Sequence, residues 1–451
     1  MQEFTLQYCR PKKVQLVTLG CSKNRVDSEH LLRQMENAGI EIVGPGYELS
    51  AKNKVDAVIL NTCGFIKDAK EESIEAILSA VDAKERGYIK HIFVFGCLSQ
   101  RYMEELTAEI PEVDGFFGAF DWDSVLKAVG IIKDDSLLQQ RYLTTPKHYA
   151  YLKISEGCDR TCSYCAIPKI RGKHISVPME ELVQEAQGLA AKGVRELIVI
   201  AQDTTYYGLD LYKRRALGEL LEKLCAIEGI EWIRIHYSYP DSFPDDVLEI
   251  MASNPKICKY LDIPLQHSSS KVLGMMRRSI DGPQTQAVID RIREKVPGVV
   301  LRTTLIVGHP GEDSREFEKL LRFVGRNKFD RLGAFTYSEE EGTYGALHFK
   351  DTVRESTKQR RYEELMELQS GISLACNEAR VGSIERVIAD SYTDGVLVCR
   401  SQGESPEVDG EILIGDLGEY EPQQLIGKFI TAKIVGANEY DLLAEIVAVE
   451  E

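Results

Sequence analysis

The chain has 451 residues, of which 43% are hydrophobic and 28% charged, and its formal net charge at pH 7 is −16. This length predicts two to four domains that each bury a core, and this composition is typical of a globular protein. The negative charge argues against non-specific binding to nucleic-acid phosphate, which needs a positively charged surface.

The sequence indicates a cytoplasmic protein without a membrane partner. No apolar run approaches the length of a membrane span, and the first twenty residues lack the pattern of a signal peptide. In the cytoplasm, eleven cysteines are expected to serve metal ligation or redox chemistry rather than disulfides.

Residues 12–133 are predicted to form a parallel-sheet domain. The apolar runs VQLVTLGC, DAVILNTC and HIFVFGC are each followed by a helical pattern, the first from about Ser28 to Ala38. Alternating strands and helices of this kind indicate a parallel sheet with helices on its faces.

Each of these three apolar runs ends at a cysteine: Cys21, Cys63 and Cys97. The carboxyl ends of parallel strands share one edge of a sheet, where ligands bind in open α/β folds. Each cysteine alone is typical of a small buried side chain. Three at the same structural position predict a three-cysteine cluster site, and the adjacent glycines would let the backbone approach a bulky inorganic cluster.

After a link near residues 133–148, residues 144–380 form a second predicted α/β unit. Its strands are predicted at AYLKISEG, ELIVIAQD, WIRIHYSYP, YLDIPLQH, VLRTTLIVG and FDRLGAFTYS, with helical patterns between them. Six such repeats indicate an incomplete relative of the eight-fold β/α barrel. Polar residues cluster directly after the strands, which places the chemistry at the C-terminal mouth of the barrel.

The segment Ile154–His174 follows the first barrel strand and contains Cys158, Cys162 and Cys165. Three closely spaced thiolates suit a 4Fe–4S cluster that leaves one iron open. Two alternatives remain from the spacing: a zinc site with His174 as fourth ligand, because structural zinc takes four ligands, or three buried cysteines without a metal.

Residues 381–451 are predicted to form a small antiparallel β-barrel of short strands. They contain fifteen Asp and Glu residues against four Arg and Lys residues, a balance of −11. This charge is consistent either with a solvated surface or with a docking surface for a basic protein.

The sequence resembles the methylthiotransferases among the radical S-adenosylmethionine enzymes, in the branch that modifies ribosomal protein S12. The resemblance covers nearly the whole chain, and Val177, His309 and Ser22 depart from the usual family pattern. The motifs that carry it are LGCSKNRVDSE (19–29), NTCGFIKDAKEES (61–73), GCLSQRY (96–102), SEGCDRTCSYCAIPKIRGK (155–173), AQDTTYYGLDLY (201–212), PLQHSS (264–269), RTTLIVGHPGE (302–312) and SPEVDGEI (405–412).

The resemblance implies two 4Fe–4S clusters. Cys158, Cys162 and Cys165 would hold the one that binds S-adenosylmethionine and, once reduced, cleaves it to a 5′-deoxyadenosyl radical. Cys21, Cys63 and Cys97 would hold an auxiliary cluster to which the delivered sulfur is attached. A second S-adenosylmethionine would supply the methyl group, and the target would be the β-carbon of an aspartate. The enzyme would also need a sulfur source and an electron donor such as flavodoxin or ferredoxin.

The predicted contacts to S-adenosylmethionine come from Tyr164, Gln202 and Arg302. Tyr164 would either stack on adenine or pack in the loop, and Arg302 would either contact the cofactor or form a structural ion pair. His236 and His267 are interpreted as hydrogen-bonded residues at the barrel mouth rather than as metal ligands, because six cysteines already account for two clusters.

Two other functions remain open. One is methylthiolation of an adenosine in transfer RNA, which the acidic terminal barrel disfavours because RNA contacts require positive charge. A basic ribosomal protein would instead be attracted. The other is a non-catalytic iron–sulfur or zinc protein that acts as a redox sensor or ribosome-assembly factor.

Overall fold

The computed structural model describes residues 9–450. Residue 451, the last of the predicted terminal barrel, and residues 1–8, part of the segment inspected for a signal peptide, lie outside this range. Within residues 9–450, no helix has both the length and the apolar composition required to cross a membrane.

The first unit is a five-stranded parallel sheet in the order β2-β1-β3-β4-β5. Apolar clusters cover both of its faces, as expected when helices pack on each side of a parallel sheet. The strands are β1 (Lys13–Thr18), β2 (Glu41–Val43), β3 (Val55–Thr62), β4 (Ile89–Gly96) and β5 (Gly115–Phe116), and the helices are α1 (Ser22–Asn37), α2 (Lys67–Glu85), α3 (Cys97–Glu109) and α4 (Trp122–Ala128).

Helix α1 begins at Ser22, six residues before the predicted start at Ser28. Its first two turns bury polar side chains such as Asn24 and Asp27, so no apolar periodicity marks them. Cys97 likewise is the first residue of α3 rather than the end of a strand. The prediction missed β2 and β5, which are too short to show a period.

The second unit is an open six-stranded parallel sheet in the order β13-β12-β11-β10-β9-β6, which confirms the incomplete barrel. Its largest apolar cluster lies between the strands and the outer helices. Its six strands are β6 (Tyr149–Lys153), β9 (Glu196–Ile200), β10 (Trp232–Ile235), β11 (Ile257–Asp262), β12 (Val300–Val307) and β13 (Arg331–Thr336). The short β7 (Ser155–Glu156) and β8 (Ile175–Ser176) form a separate antiparallel pair.

Most of the barrel helices were predicted from their amphipathic pattern, but the short α5, α9 and α12 were not. The helices are α5 (Ile167–Ile170), α6 (Met179–Ala191), α7 (Leu217–Cys225), α8 (Asp245–Ser253), α9 (Ser270–Met275), α10 (Gly282–Lys295), α11 (Ser314–Asn327), α12 (Tyr344–His348) and α13 (Glu355–Glu378). The long α13 packs on β13 and leads towards the third unit.

The third unit is a closed five-stranded barrel in the order β14-β15-β16-β18-β17. Its pairs are antiparallel except for β16 and β18, which run parallel. The turn between β14 and β15 places Asp394 and Gly395 at φ +52° and +84°, as a tight hairpin requires. The elements are β14 (Ile384–Thr393), β15 (Val396–Arg400), β16 (Ile412–Ile414), α14 (Pro422–Leu425), β17 (Phe429–Ala437) and β18 (Leu442–Val449).

The open inner face of the six-stranded sheet is covered by the other two units. Val26 of α1 packs against Tyr149 and Tyr151 of β6. Trp232 of β10 packs against Phe429 of β17, with ring centroids 4.8 Å apart. The first unit therefore lies over part of the barrel's inner face, and the third unit covers another part.

Arg141, in the link between the first two units, is a buried ionic junction. Its guanidinium pairs with Glu29 of α1 and with Glu185 of α6, the latter at 2.7 Å. It also donates to the carbonyl of Tyr151 at 3.0 Å. The three charged side chains are almost completely buried.

We expect Arg141→Met to lower the free energy of unfolding by about 3–5 kcal/mol, because it leaves two buried carboxylates unpaired. Urea denaturation followed by circular dichroism measures this loss. The matched control is Arg86→Met, which breaks an exposed ion pair with Asp82 and should cost less than about 1 kcal/mol. Equal losses in the two variants would contradict the role assigned to Arg141.

Candidate active site

One cavity of about 580 Å³ brings the six predicted ligand cysteines together. It lies where the carboxyl ends of the strands of the first unit meet the mouth of the barrel. The cysteines that line it are Cys21, Cys63, Cys97, Cys158, Cys162 and Cys165. Sequence reasoning predicted each triplet separately and did not place the two in a common cavity.

The first triplet is held by tight backbone turns at the strand ends. Gly20 has φ +88°, and a Cβ atom there would lie 2.8 Å from the Sγ of Cys63. The Oδ1 atom of Asn24 lies 4.0 Å from the Sγ of Cys21 and 3.8 Å from that of Cys97. No side chain larger than glycine fits at position 20, beside Cys63. The amide side chain of Asn24 contacts the other two thiols.

The second triplet lies on the loop between β7 and β8. Gly157 starts this loop at φ +73°, and a Cβ atom there would lie 2.0 Å from the carbonyl oxygen of Lys173. The Sγ of Cys158 accepts a hydrogen bond from the backbone N–H of Arg160 at 3.4 Å. The Sγ of Cys162 accepts one from Arg278 at 3.8 Å.

Arg171 connects the two triplets. Its Nε donates to the Sγ of Cys97 at 3.2 Å, and its Nη2 donates to Asn24 at 2.5 Å. Its Nη1 donates to Asp27 at 2.9 Å and to Glu156 at 3.1 Å. A buried cation from the second cysteine loop thus contacts a thiol of the first triplet. Hydrogen bonds to cluster sulfur ligands are one means by which proteins tune reduction potential.

Burial is the largest cause of the raised pKa values of four cavity cysteines. It raises the pKa of Cys63 to about 12 and that of Cys158 to about 11, and it also raises the pKa of Cys97 and Cys165. Since metals bind the thiolate, loading these sites would release protons. Burial also acts to raise the pKa of Glu156, but Lys153 and Arg171 lower it to about 2.

His174, the alternative fourth ligand, does not line the cavity. Its Nε2 lies 3.1 Å from the Oγ of Ser176 and 3.7 Å from Asp210. Within residues 9–450, no group of three or more His, Cys, Asp and Glu side chains is close enough to hold a single metal ion.

The cavity also contains buried polar atoms that have no hydrogen-bond partner in the described part of the chain. They are the Oε1 atoms of Gln202 and Gln266, the hydroxyl of Tyr239, Nη2 of Arg160 and Nε of Arg278. Buried polar groups are normally paired. These donors and acceptors therefore fit a polar ligand with an anionic group and several hydrogen-bonding groups, as S-adenosylmethionine is.

Two of the three predicted cofactor contacts lie in this cavity. Tyr164 lines it and accepts a hydrogen bond from Arg278 at 3.4 Å, and Gln202 lines it with its Nε2 bonded to Glu156. Arg302 instead lines a different cavity and pairs with Asp262 at 3.0 Å and Asp409 at 3.4 Å. Two roles were predicted for Arg302, and these contacts favour that of a structural ion pair.

Neither His236 nor His267 lines the cavity. His236 bonds to the Oγ of Ser405 in the third unit at 2.8 Å, and burial holds its pKa well below the ordinary value. His267 accepts the backbone N–H of Ser269 at 2.9 Å, and its Nε2 lies 3.5 Å from Glu312. Both histidines serve packing between elements.

The three residues that depart from the family pattern do not line the cavity. His309 is fully buried, with Nε2 3.4 Å from the Oγ of Ser163 in the second loop. Val177 packs against the barrel core and accepts the hydroxyl of Tyr207 at 2.9 Å through its carbonyl. Ser22 is the first residue of α1.

Sequence reasoning missed several residues of the cavity lining. Lys23 and Arg160 each lie two positions after a predicted ligand cysteine in the motifs, so proximity in sequence could have indicated them. Gln266 also lay in a quoted motif. Tyr239 and Arg278 come from loops after other strands, and no spacing pattern links them to the cysteines.

Family models match the three units in turn. The Radical SAM superfamily matches residues 152–324, Uncharacterized protein family UPF0004 matches residues 13–118, and the TRAM domain matches residues 381–447.

Solved structures share the fold at low identity. The radical S-adenosylmethionine methyltransferase TsrM from Kitasatospora setae superposes with a TM-score of 0.52 and 12% identity, over 72% of each chain. The cobalamin-dependent S-adenosylmethionine radical enzyme OxsB superposes with a TM-score of 0.52 and 13% identity, over 81% of this chain and 56% of its own. These two likenesses concern the fold alone.

Curated relatives named ribosomal protein uS12 methylthiotransferase RimO align over almost the whole chain. That of Cytophaga hutchinsonii is 51% identical and covers 96% of this chain and 98% of its own. That of Flavobacterium johnsoniae is 51% identical, with 97% and 98% covered, and that of Porphyromonas gingivalis is 50% identical, with 97% and 100% covered. The chain therefore belongs to the RimO family of radical S-adenosylmethionine methylthiotransferases.

Proposed function

We propose that the chain attaches a methylthio group to the β-carbon of an aspartate in ribosomal protein uS12. The observation that carries the proposal is the single cavity lined by two cysteine triplets from two units. In a reaction that combines hydrogen abstraction with sulfur delivery, the radical and the sulfur must reach the same carbon atom. A cavity shared by the two triplets would provide that proximity.

In this proposal Cys158, Cys162 and Cys165 hold the 4Fe–4S cluster that binds S-adenosylmethionine. The auxiliary 4Fe–4S cluster is held by Cys21, Cys63 and Cys97. When bound, these groups supply radical hydrogen abstraction, sulfur and the methyl group, which no side chain provides at neutral pH. The protein's part is to position the reactants and exclude water.

Individual side chains have defined tasks in this arrangement. Tyr164 offers a ring to adenine, and Gln202 offers its unpaired Oε1 to a donor of the cofactor. Arg160 and Arg278 line the cavity, each has a buried N–H group without a partner among the described residues, and both would bind a carboxylate. The two guanidinium groups lie on the ring of Tyr239, at 3.8 Å and 4.0 Å from its centroid, which orients both.

We further propose three functional units: residues 12–133 for the auxiliary cluster, 144–380 for the radical chemistry and 381–451 for docking of the substrate. The third unit exposes Glu411, Glu439 and Glu445, which have no ion-pair partner within the described residues. Ribosomal proteins are generally basic, so the negative charge of this unit would attract the substrate. The same charge disfavours transfer RNA.

The proposal also defines the partners. A ribosomal protein substrate places the enzyme in the cytoplasm, where a flavodoxin or ferredoxin would donate electrons. The source of sulfur would be a second partner. The substrate would be met either free or on the small ribosomal subunit.

The direct test is mass spectrometry of small-subunit proteins and of transfer RNA from cells with and without the gene. We expect uS12 to lose a methylthio group from one aspartate and transfer RNA to remain unchanged. Loss of a methylthio group from adenosine with uS12 unchanged would favour the RNA alternative. Protein purified without oxygen should carry iron and sulfide for two clusters, and zinc without iron would overturn the proposal.

A further inference from the structure

Lys23 is a cation of the cavity without an anionic partner. It is the second residue of α1, two positions after Cys21, and it lines the cavity. Its Nζ lies 3.3 Å from the ring centroid of Tyr237. Within residues 9–450, Lys23 forms no ion pair, and the side chain that its ammonium contacts is that of Tyr237.

Each of the other three cations of the cavity has at least one hydrogen-bond or ion-pair partner in the protein. Arg160 pairs with Asp203 at 3.0 Å, and Arg171 pairs with Asp27 at 2.9 Å. Arg278 donates to the carbonyl of Pro264 at 2.7 Å and lies beside Cys162, in the second triplet. Lys23 is thus distinguished by an ammonium group that has no ion-pair partner and by its place beside the first triplet.

The position of the Lys23 ammonium is fixed from both sides. Asn24 holds the first turn of α1 by donating to the carbonyls of Leu19 and Thr62. Tyr237 has φ +57°, a conformation that is costly for a bulky residue and is concentrated at functional sites. Its backbone N–H donates to Asp262 at 3.1 Å, which supports this conformation and orients the ring under the ammonium.

We propose that Lys23 binds the side-chain carboxylate of the substrate aspartate and so selects an anionic residue as the target. This inference rests on the proposed function. A carboxylate that leaves bulk water for a cavity needs a cationic partner, because an unpaired buried charge is unfavourable. The carboxylate carbon is bonded directly to the β-carbon, so fixing one positions the other beside the first cysteine triplet.

The same contact would discriminate against neutral substrates. A lysine ammonium gains a charge-assisted hydrogen bond from a carboxylate and much less from an amide or an adenine ring. Its three donors suit a small anion that arrives from outside the protein. Lys23 is therefore proposed as a specificity-determining residue of the cavity.

The test compares uS12 with its variant in which the target aspartate is replaced by asparagine. Binding to the anaerobically loaded enzyme is measured by fluorescence anisotropy, and kcat/KM is measured by mass spectrometry. The wild-type enzyme should bind the aspartate form about 10- to 100-fold more tightly, as expected for a hydrogen bond to a charged group. Equal binding of the two forms by the wild-type enzyme would overturn the inference without any variant.

Lys23→Met should remove this preference by weakening binding of the aspartate form 10- to 100-fold, with binding of the asparagine form within about twofold. The matched control is Lys67→Met, which removes an exposed lysine four residues after Cys63 and should leave both values within about twofold. Equal weakening of both forms by Lys23→Met would indicate a structural role and overturn the inference.

The outcomes also separate this inference from the proposed function. If the wild-type enzyme binds and modifies neither form of uS12, the proposed function fails and the role of Lys23 fails with it. If the wild-type enzyme modifies the aspartate form and Lys23→Met does so with the same kcat/KM, the proposed function stands and the role of Lys23 is overturned.

Discussion

Replacing Cys162 with alanine is expected to abolish formation of 5′-deoxyadenosine from S-adenosylmethionine. Cys162 is the middle cysteine of the second triplet and lines the cavity together with Cys158 and Cys165. Alanine removes the Sγ and offers no ligand, and a 4Fe–4S cluster with three protein ligands tolerates no such loss. The product is measured by chromatography after reduction with dithionite under anaerobic conditions.

The matched control for this prediction is Cys225→Ala. Cys225 is the last residue of α7, is buried in the barrel core and does not line the cavity. Its replacement should reduce stability slightly and leave formation of 5′-deoxyadenosine close to the wild-type rate. Retained product formation by Cys162→Ala would refute its role as a ligand, and a loss in both variants would point to a folding defect.

The two cysteine triplets and the three-unit organisation could be predicted because they leave short-range signals. A loop with cysteines spaced by three and two residues, and cysteines that follow apolar runs, depend on local sequence alone. The start of α1 could not be predicted in the same way. Its first turns bury Asn24, Asp27 and Glu29, whose partners lie far away in the sequence, so the apolar period begins late.

The acidic balance of the third unit was harder to interpret from sequence. Several of its acidic side chains do not face solvent: Glu404 pairs with Arg331 and Arg380, and Asp409 pairs with Arg302. The contacts of Arg331 in β13 and Arg302 in β12 join the terminal barrel to the sheet of the second unit. The net charge of the segment includes these buried carboxylates. The sequence does not show that they are paired, because their partners lie in distant segments.

The ion pairs of Arg302 could not be predicted from the sequence for the same reason. Arg302 is the third residue of β12, towards the end of the strand that lies away from the barrel mouth, and periodicity alone does not state which side chains of a strand find partners. The loop SPEVDGEI, quoted as a motif, proves to supply Asp409 to it and Ser405 to His236. Part of this motif therefore serves contact between units.

Replacing Cys63 with alanine should separate the two halves of the reaction. We expect sulfur transfer to uS12 to stop while 5′-deoxyadenosine formation continues, because Cys63 belongs to the first triplet and the second triplet is left intact. Alanine keeps the Cβ atom beside Gly20 and removes only the Sγ, so the turn is preserved.

Mass spectrometry of uS12 and chromatography of the nucleoside measure the two activities of Cys63→Ala in one reaction. The matched control in the same unit is Cys9→Ala, whose thiol donates to the carbonyl of Ala128 at 3.4 Å and lies outside the cavity lining. It should retain both activities. Undiminished methylthiolation by Cys63→Ala would show that the first triplet does not hold the sulfur. Loss of both activities would instead indicate that the two triplets depend on each other, which the contact of Arg171 with Cys97 would then explain.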